Sequence, residues 1–368
     1  MNGAINLHEM GQSLWLDNIS RTILDDGTLA RYQRELAITG LTSNPTIYQH
    51  ALAGSAAYDD AIAAGAGGVQ SSEALFFGLA LDDLRRAADL FRPDFDATAG
   101  ADGWVSLEVS PLLANDAAAT IRAAAELHAL AERPNLFVKI PGTAAGALAI
   151  EESIFAGVPV NVTLLFSCEQ YQNAAEAYLR GVERRIAAGR DPAVASVASL
   201  FVSRWDVAVA EQVPAELRNR LGIAVARRTY RAYRELLASP RWRHLTEAGA
   251  CPQRLLWAST GTKDPEASDV MYLQALAAPN TINTIPEKAL LAFADHGVVS
   301  GSMPADGGDA EKTLAAFSAA GIDLAALALR LQREGAASFS KSWGELLASL
   351  DVKRAALKSG AAARAAGR

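Results

Sequence analysis

Residues 136–143 read LFVKIPGT, a short apolar run that contains one lysine and ends at a Pro-Gly pair. This composition is typical of a β-strand, and successive strand side chains face opposite sides of a sheet. The aliphatic side chains therefore share one face of the strand, and Lys139 shares the other face with Phe137. Where helices cover one side of a sheet, the aliphatic face packs beneath them, so Lys139 faces the opposite side.

Lys139 has two interpretations at this point. A buried lysine is rare, and burial lowers the pKa of its ammonium group because the charged form loses hydration. The resulting neutral amine is a nucleophile. The alternative is an edge-strand lysine exposed to water, which blocks pairing between sheet edges. This stretch alone supports both interpretations equally, so the rest of the chain has to decide.

Seven further segments have the pattern of strands, and helical segments separate nearly all of them. The strand candidates are residues 13–17, 39–44, 105–110, 158–166, 197–202, 255–259 and 281–285, of which the last is the weakest. Such alternation is typical of parallel strands joined by crossover helices. Eight units of this kind predict an α/β fold, a single closed (β/α)₈ TIM barrel.

An open, doubly wound sheet is the alternative architecture. Its strands lie between two helical layers and are apolar on both faces. Several strands here instead carry polar or charged residues on one face near their carboxyl ends, where barrels place catalytic groups. No glycine fingerprint for a nucleotide follows the first strand, so the barrel is favoured.

Helical segments connect the strands and continue beyond the last one. The predicted helices are 25–36, 51–91, 114–132, 143–154, 168–188, 213–237, 310–320, 324–334 and 339–357. The cluster from Gly65 to Gly68 is expected to break the second helix, and Gly321 and Gly335 separate the last three. Residues 1–358 are thus predicted to form one barrel domain with additional N- and C-terminal helices packed on it. The tail, 359–368, is expected to be flexible.

The composition excludes several classes of protein. Half of the 368 residues are hydrophobic and the net charge is −7, so we expect a folded chain without a nucleic-acid partner, which would need a basic face. No apolar run is long enough to span a membrane, and no secretory signal is recognisable, so we expect a cytoplasmic protein without a membrane partner. Cys168 and Cys251 are too few for a disulfide framework and are expected to be ordinary buried thiols.

Polar residues on the same strand faces as the lysine come from six successive strands and lie near strand ends. They are Asp17, Asn44, Glu108, Lys139, Asn161, Thr163 and Ser199. A lysine among carboxylates, amides and hydroxyls has the groups that Schiff-base chemistry needs, with carboxylates and water moving the protons. This chemistry needs no cofactor. No metal is expected, because the five histidines show no HExxH pattern or close pairing.

Some members of this set also have ordinary structural interpretations. Asp17 and Asn44 are suited to helix N-caps. Glu108 is suited to a paired core carboxylate, and Thr163 to a β-branched strand position. Their joint occurrence in chain order, on the same strand faces, favours the catalytic interpretation.

Six short motifs resemble those of the transaldolase family in its longer bacterial form. They are WLDN at 15–18, TSNP at 42–45, SLEVS at 106–110, VKIP at 138–141, NVTL at 161–164 and SLFVSR at 199–204. Each motif alone is weak, but the combination extends from the first strand to the sixth and is highly specific. The resemblance implies that Lys139 forms a Schiff base with the ketose donor and that Asp17 is the acid/base at the C4 hydroxyl. It also implies that Glu108 and Thr163 hold and activate the catalytic water.

The resemblance further implies a set of substrate-binding residues. Asn44 and Asn161 would bond substrate hydroxyls, and Ser199 and Arg204 would hold the phosphate, for which a guanidinium is suited. Phe201 matches a position where the family's transferases have phenylalanine and the related fructose-6-phosphate aldolases have tyrosine, which favours transfer.

The phosphate site also raises two open points. Arg204 could instead form a surface ion pair with Asp206, which would contribute little to stability. Shorter family members carry a second phosphate-binding arginine after strand seven, where residues 259–263 of this chain read STGTK. Our hypothesis is that Lys263 replaces it.

The resemblance implies a transferase of carbohydrate metabolism, a transaldolase of the pentose phosphate pathway. It would move a dihydroxyacetone unit between sedoheptulose 7-phosphate, glyceraldehyde 3-phosphate, erythrose 4-phosphate and fructose 6-phosphate, and these four sugar phosphates are its expected partners. The alternatives are an aldolase that releases dihydroxyacetone and a non-catalytic sugar-phosphate-binding barrel, which the complete catalytic set disfavours. A metal-dependent aldolase is disfavoured by the missing ligand cluster. We expect a monomer or a homodimer.

Overall fold

Eight parallel strands close into a barrel within residues 2–65 and 71–366, which are the residues that the computed structural model describes, with side chains for 2–64 and 71–359. The strands are β1 (Ser13–Leu16), β2 (Ile38–Thr42), β3 (Val105–Glu108), β4 (Leu136–Pro141), β5 (Val160–Leu165), β6 (Ser196–Phe201), β7 (Gln253–Ala258) and β8 (Ile282–Ile285). Each strand pairs with its neighbours in chain order, and β8 pairs with β1. The predicted (β/α)₈ barrel is confirmed, including its weakest strand.

Helices surround the barrel and extend beyond it at both ends of the chain. They are α1 (Gly3–Glu9), α2 (Arg21–Asp25), α3 (Thr28–Leu36), α4 (Pro45–Ala53), α5 (Asp59–Gly65), α6 (Ser72–Ala97), α7 (Ala117–Ala131), α8 (Ala144–Ala156), α9 (Cys168–Ala187), α10 (Ser203–Val209), α11 (Leu221–Ala238), α12 (Pro240–Glu247), α13 (Met271–Ala275), α14 (Glu287–His296), α15 (Ala310–Ala319) and α16 (Leu324–Ala366). Within the described residues, no single helix has both the length and the apolarity to cross a membrane. Helices α15 and α16 have that length and apolarity only when they are taken together, across a 92° bend.

Several helix boundaries differ from the predictions. The segment 25–36 contains the end of α2 and all of α3, because Gly27 adopts a left-handed backbone with φ of 76° between them. The segment 213–237 contains α11 only from Leu221, since a 3₁₀ turn follows Pro214. The segment 51–91 spans the end of α4, all of α5 and most of α6, and residues 66–70, where the break was predicted, lie outside the described residues.

The prediction of two separate helices after residue 323 is wrong, because α16 is continuous through Gly335. Glycine inside a helix costs only about 1 kcal/mol relative to alanine. Leu331 and Phe339 are buried on either side of Gly335, and this burial extends towards the end of the helix. The packing outweighs the local preference for a break. The helix reaches Ala366, and the flexibility predicted for 359–368 stays a prediction.

Aromatic side chains pack together at the amino end of the barrel. Phe137 stacks on Trp104 with ring centroids 3.9 Å apart, and Trp15 lies 6.2 Å from Phe137. The indole N–H of Trp15 donates to Asp102 Oδ1 at 2.8 Å. These aromatic contacts lie below Lys139, which lines a cavity at the carboxyl ends of the strands.

Helices α8 and α9 approach most closely at Gly181. A Cβ atom at this position would lie 2.8 Å from the Glu151 carbonyl oxygen and from the Ile154 side chain. We expect Gly181→Ala to lower the free energy of unfolding by roughly 1–3 kcal/mol, the usual cost of overpacking, and thermal denaturation would measure it. Gly78→Ala in α6 is the matched control, because no atom lies within 4 Å of its Cβ position. Equal midpoints for the two variants would contradict this account of the helix packing.

Candidate active site

The carboxyl ends of the strands surround a cavity of about 130 Å³. Eight of the predicted residues line it: Asp17, Asn44, Lys139, Thr163, Ser199, Phe201, Arg204 and Lys263. Glu108 and Asn161 are buried beside it and are the strand-register partners of Lys139 on β3 and β5. The structure therefore brings the whole predicted set together.

Lys139 is buried in the barrel interior with 5% of its surface exposed. Its Nζ atom donates to the Ser43 carbonyl oxygen at 3.0 Å and lies 3.4 Å from Glu108 Oε2. Strand β4 pairs with a neighbour on each side. The edge-strand interpretation of Lys139 is therefore wrong, and the amine is held beside a carboxylate in the buried interior of the barrel.

Two carboxyl groups share this interior with the lysine. Burial raises the pKa of Asp17 and of Glu108, and the neighbouring Lys139 opposes the shift in both cases. Asp17 also accepts a hydrogen bond from Thr42 Oγ1 at 2.9 Å. The N-cap of the following helix α2 is Ser20, so the cap interpretation of Asp17 is wrong. A raised pKa makes both carboxyl groups suited to bind and release a proton during a reaction.

Buried oxygen atoms without partners mark the floor of the site. Thr163 Oγ1 and Glu108 Oε1 have no hydrogen-bond partner among the described residues, and Glu108 Oε2 has only the Lys139 ammonium group 3.4 Å away. Leaving such atoms unpaired is costly in a protein interior. Thr163 is therefore more than a β-branched strand filler, because its hydroxyl group can bind a water molecule or a substrate oxygen.

The amide side chains have different surroundings. Asn44 caps α4, with its Oδ1 accepting from the Ile47 N–H at 3.0 Å, so its cap interpretation is confirmed although the side chain also lines the cavity. Asn161 Nδ2 donates to Ser106 Oγ at 3.1 Å, and its Oδ1 accepts from Ser199 Oγ at 2.7 Å. The hydroxyl group of Ser199 thus holds the Asn161 amide in one orientation.

Two cationic side chains lie at the rim of the cavity. Arg204 is half-buried, its guanidinium lies 5.5 Å from the centre of the Phe201 ring, and burial lowers its pKa. Lys263 is exposed and faces the same cavity. Neither Arg204 nor Lys263 has an ion-pair partner among the side chains that the structure describes. Both charges are therefore available to an anionic ligand.

Asp206 does not pair with Arg204. Its carboxylate accepts from the Leu221 N–H at 2.8 Å, from the Gly222 N–H at 3.2 Å and from the Tyr272 hydroxyl at 2.7 Å. The interpretation of Arg204 and Asp206 as a surface ion pair is wrong, because Asp206 is buried and its carboxylate binds the amino end of α11 instead.

Sequence reasoning missed some residues of the site. Thr42 and Thr284 line the cavity, and their hydroxyl groups lie 2.5 Å apart. Thr42 shares a strand face with Asn44, so strand alternation carried a signal for it. Phe339 also lines the cavity but comes from α16, and no pattern in the sequence connects that helix to the strands.

The cysteines lie outside this site. Cys168 is buried and Cys251 is half-buried, and burial raises the pKa of the Cys168 thiol to about 11. The structure groups no three His, Cys, Asp or Glu side chains for a metal ion within its described residues.

The fold and the site together define a barrel enzyme with an interior lysine, two neighbouring carboxyl groups and cationic residues at the mouth. Residues 14–350 match the family described as transaldolase/fructose-6-phosphate aldolase. The chain is 46% identical to a transaldolase of Acidothermus cellulolyticus, over 94% of this chain and 95% of the relative. It is 45% identical to a transaldolase of Saccharopolyspora erythraea, over 93% and 94%. A transaldolase of Thiobacillus denitrificans is 44% identical, over 95% of this chain and all of the relative. The chain therefore belongs to the transaldolase/fructose-6-phosphate aldolase family.

The Asp206 carboxyl should give the protein a measurable dependence of stability on pH. Burial raises its pKa to about 6, so between pH 4 and 6 the folded state binds more protons than the unfolded state. The stabilisation from the bound proton is complete below the unfolded pKa and is lost as the pH rises through the folded pKa. Relative to Asp206→Asn, the wild type should lose about 3 kcal/mol across this range.

Thermal denaturation of both proteins as a function of pH measures this difference. The change with pH is the test, because the amide also alters the hydrogen bonds by a constant amount. Asp60→Asn, at an exposed position of α5, is the control and should follow the wild type. Parallel curves for wild type and Asp206→Asn would contradict the assignment.

Proposed function

We propose that this protein is a transaldolase that transfers a dihydroxyacetone unit between ketose and aldose phosphates through a Schiff base on Lys139. The family and the names of the relatives support the reaction. The observation that carries the mechanism is the burial of Lys139 beside Glu108 and close to Asp17, at the floor of a cavity with cations at its rim. A cytoplasmic location and a monomeric or homodimeric state stay predictions.

The first step is attack of the Lys139 amine on the ketone carbon of the donor. A carbinolamine forms, and loss of its hydroxyl group as water leaves a protonated imine. Glu108 lies within 3.4 Å of Nζ and has a raised pKa, so it is suited to take the proton of the ammonium group and to return it to the departing water. The unpaired Thr163 hydroxyl is suited to hold that water.

The second step breaks the bond between C3 and C4 of the bound ketose. Asp17 removes the proton of the C4 hydroxyl, the C–O bond becomes a carbonyl, and the electron pair of the C–C bond moves into the iminium to give an enamine. Its raised pKa is suited to a general base that later returns the proton, and Thr42 fixes the orientation of the carboxylate. Addition of the enamine to a second aldehyde and hydrolysis of the imine complete the transfer.

The phosphate group of the substrate would bind at the rim. Arg204 and Lys263 supply the positive charge, and the guanidinium plane is suited to phosphate oxygens. The side-chain proton of Ser199 is donated to Asn161, so we assign Ser199 to orienting Asn161 against the sugar hydroxyls. This arrangement places the carbonyl end of the substrate deep and its phosphate near solvent.

A fructose-6-phosphate aldolase is the second candidate, because the matching family includes both activities. Phe201 beside Arg204 is the feature that favours transfer. Accumulation of free dihydroxyacetone from fructose 6-phosphate without an acceptor aldehyde would favour the aldolase instead.

Borohydride trapping with fructose 6-phosphate tests the mechanism. Wild type should form an adduct of dihydroxyacetone size on Lys139, and Lys139→Ala should form none. Asp17→Asn should still form the Schiff base but fail to cleave it, so its adduct should carry the whole hexose phosphate. Intact mass and peptide mapping distinguish these products. No adduct on wild type, or an adduct on another lysine, would disprove the proposed mechanism.

The variant Lys263→Ala tests whether Lys263, at the rim of the cavity, binds the phosphate group of the substrate. Loss of one charge-assisted contact to phosphate is expected to raise the KM for fructose 6-phosphate roughly tenfold, corresponding to about 1.5 kcal/mol, while kcat changes little. Lys312→Ala, at an exposed position of α15 outside the cavity, is the control. If the KM of Lys263→Ala equals that of the control, Lys263 has no part in phosphate binding.

A further inference from the structure

Helix α16 crosses the carboxyl end of the barrel and is tied to the strands that carry the site. Gln332 Nε2 donates to the Gly142 carbonyl oxygen at 3.0 Å and to the Leu164 carbonyl oxygen at 2.9 Å. Gly142 directly follows β4, which carries Lys139, and Leu164 directly follows Thr163 on β5. These two hydrogen bonds therefore fix the position of α16 on the carboxyl ends of β4 and β5.

The backbone of β5 is unusual where Gln332 contacts it. Leu164 adopts a left-handed conformation with φ of 59°, and the pairing of β5 with β6 is irregular between Val162 and Leu165. Such conformations are costly for residues other than glycine and persist where the surroundings hold them. The bond from Gln332 is one of the contacts that hold Leu164, so the helix and this part of β5 depend on each other.

Gly335 lies one turn after Gln332, at the closest approach of α16 to the rim. A Cβ atom at this position would lie 3.0 Å from Leu164 Cδ2, 3.5 Å from Arg204 Nη1 and 3.6 Å from Phe166 Cε2. The guanidinium of Arg204 therefore packs directly against the helix backbone. By contrast, no atom lies within 4 Å of the Cβ position of Gly344 in the same helix.

The helix also contributes to the cavity itself. Phe339 lies one turn after Gly335 on the same face and lines the cavity. Further along, Thr46 Oγ1 donates to Ser342 Oγ at 2.9 Å, and Lys353 pairs with Asp59 at 2.7 Å. These contacts fix the helix across the mouth from β4 and β5 to α4 and α5.

We infer that α16 forms one wall of the phosphate subsite and that Gly335 is a positioning residue, which leaves the space in which the Arg204 guanidinium meets the phosphate of the substrate. This inference rests on the proposed function. Arg204 has no ion-pair partner within 4 Å among the described side chains, and its nearest surroundings are the Phe201 ring, α16 at Gly335 and the charge of Glu334 on the same helix. A Cβ atom alone would touch the guanidinium at an ordinary van der Waals distance of 3.5 Å, whereas a longer side chain at 335 would enter the space that the guanidinium occupies.

The test is Gly335→Leu, because leucine is a good helix former and its side chain extends into the space of Arg204. We expect the KM for fructose 6-phosphate to rise roughly tenfold, the effect of weakening one charge-assisted contact, with little change in kcat. Borohydride trapping of dihydroxyacetone on Lys139 should be unchanged, because that ketone carries no phosphate. Gly344→Leu is the matched control and should behave as wild type in both assays.

A double-mutant cycle identifies the partner through which Gly335 acts. If it acts through Arg204, adding Gly335→Leu to Arg204→Ala should raise the KM no further. A further tenfold rise in that background would overturn the assignment to Arg204. Equal KM values for Gly335→Leu and Gly344→Leu would overturn the inference altogether.

Two further comparisons distinguish misfolding of the leucine variant and failure of the proposed function from failure of the inference about Gly335. Gly335→Met carries an unbranched, helix-favouring side chain that also reaches the space of Arg204, and it should raise the KM by a similar factor if the leucine variant does not fold. A KM equal to that of wild type would then count against the inference. Failure of wild type to trap dihydroxyacetone on Lys139 would disprove the proposed function, whereas normal trapping with an unchanged KM in the variants would disprove only the role of Gly335.

Discussion

The site depends on the register of three neighbouring strands, which puts a lysine between a carboxylate and an amide in the barrel interior. Lys139 on β4 is aligned with Glu108 on β3 and with Asn161 on β5. A buried charge is costly unless it is paired, so the ammonium and the carboxylate stabilise each other there. A shift of one residue in either pairing would turn one of these side chains out of the barrel. The alternation of side chains along β4 opposes such a shift, because it would also turn the aliphatic face of the strand away from the helices.

The two ends of the barrel have opposite properties. At the amino end, the buried rings of Trp15, Trp104 and Phe137 pack together in the interior. At the carboxyl end, the cavity is lined by polar groups and bordered by the long helix α16. Lys139 lies at the bottom of this cavity, so in the proposed mechanism a substrate would enter with its carbonyl group first and its phosphate last.

The charges in the pocket are arranged along its depth. Both carboxyl groups lie near Lys139, and burial raises the pKa of each, which keeps them able to move protons. The unpaired cations, Arg204 and Lys263, lie at the rim, where an anionic group is less costly to bind. In the proposed mechanism this separation divides the work between proton transfer at the floor and recognition at the rim. Such a division would keep the phosphate charge away from the imine.

Local sequence determined which side chains enter the barrel, because strand alternation depends only on neighbouring residues. It predicted the eight strands, the interior position of Lys139 and the convergence of the polar residues at one mouth. The packing of α16 over that mouth was decided by the tertiary structure, since Gly335 reads locally as a helix break and the burial of Leu331 and Phe339 on either side of it accounts for a continuous helix. The same holds for Asp206, whose partners lie 15 to 66 residues away. Sequence patterns report local geometry, whereas these contacts join residues that are distant in the chain and meet only once the barrel has closed.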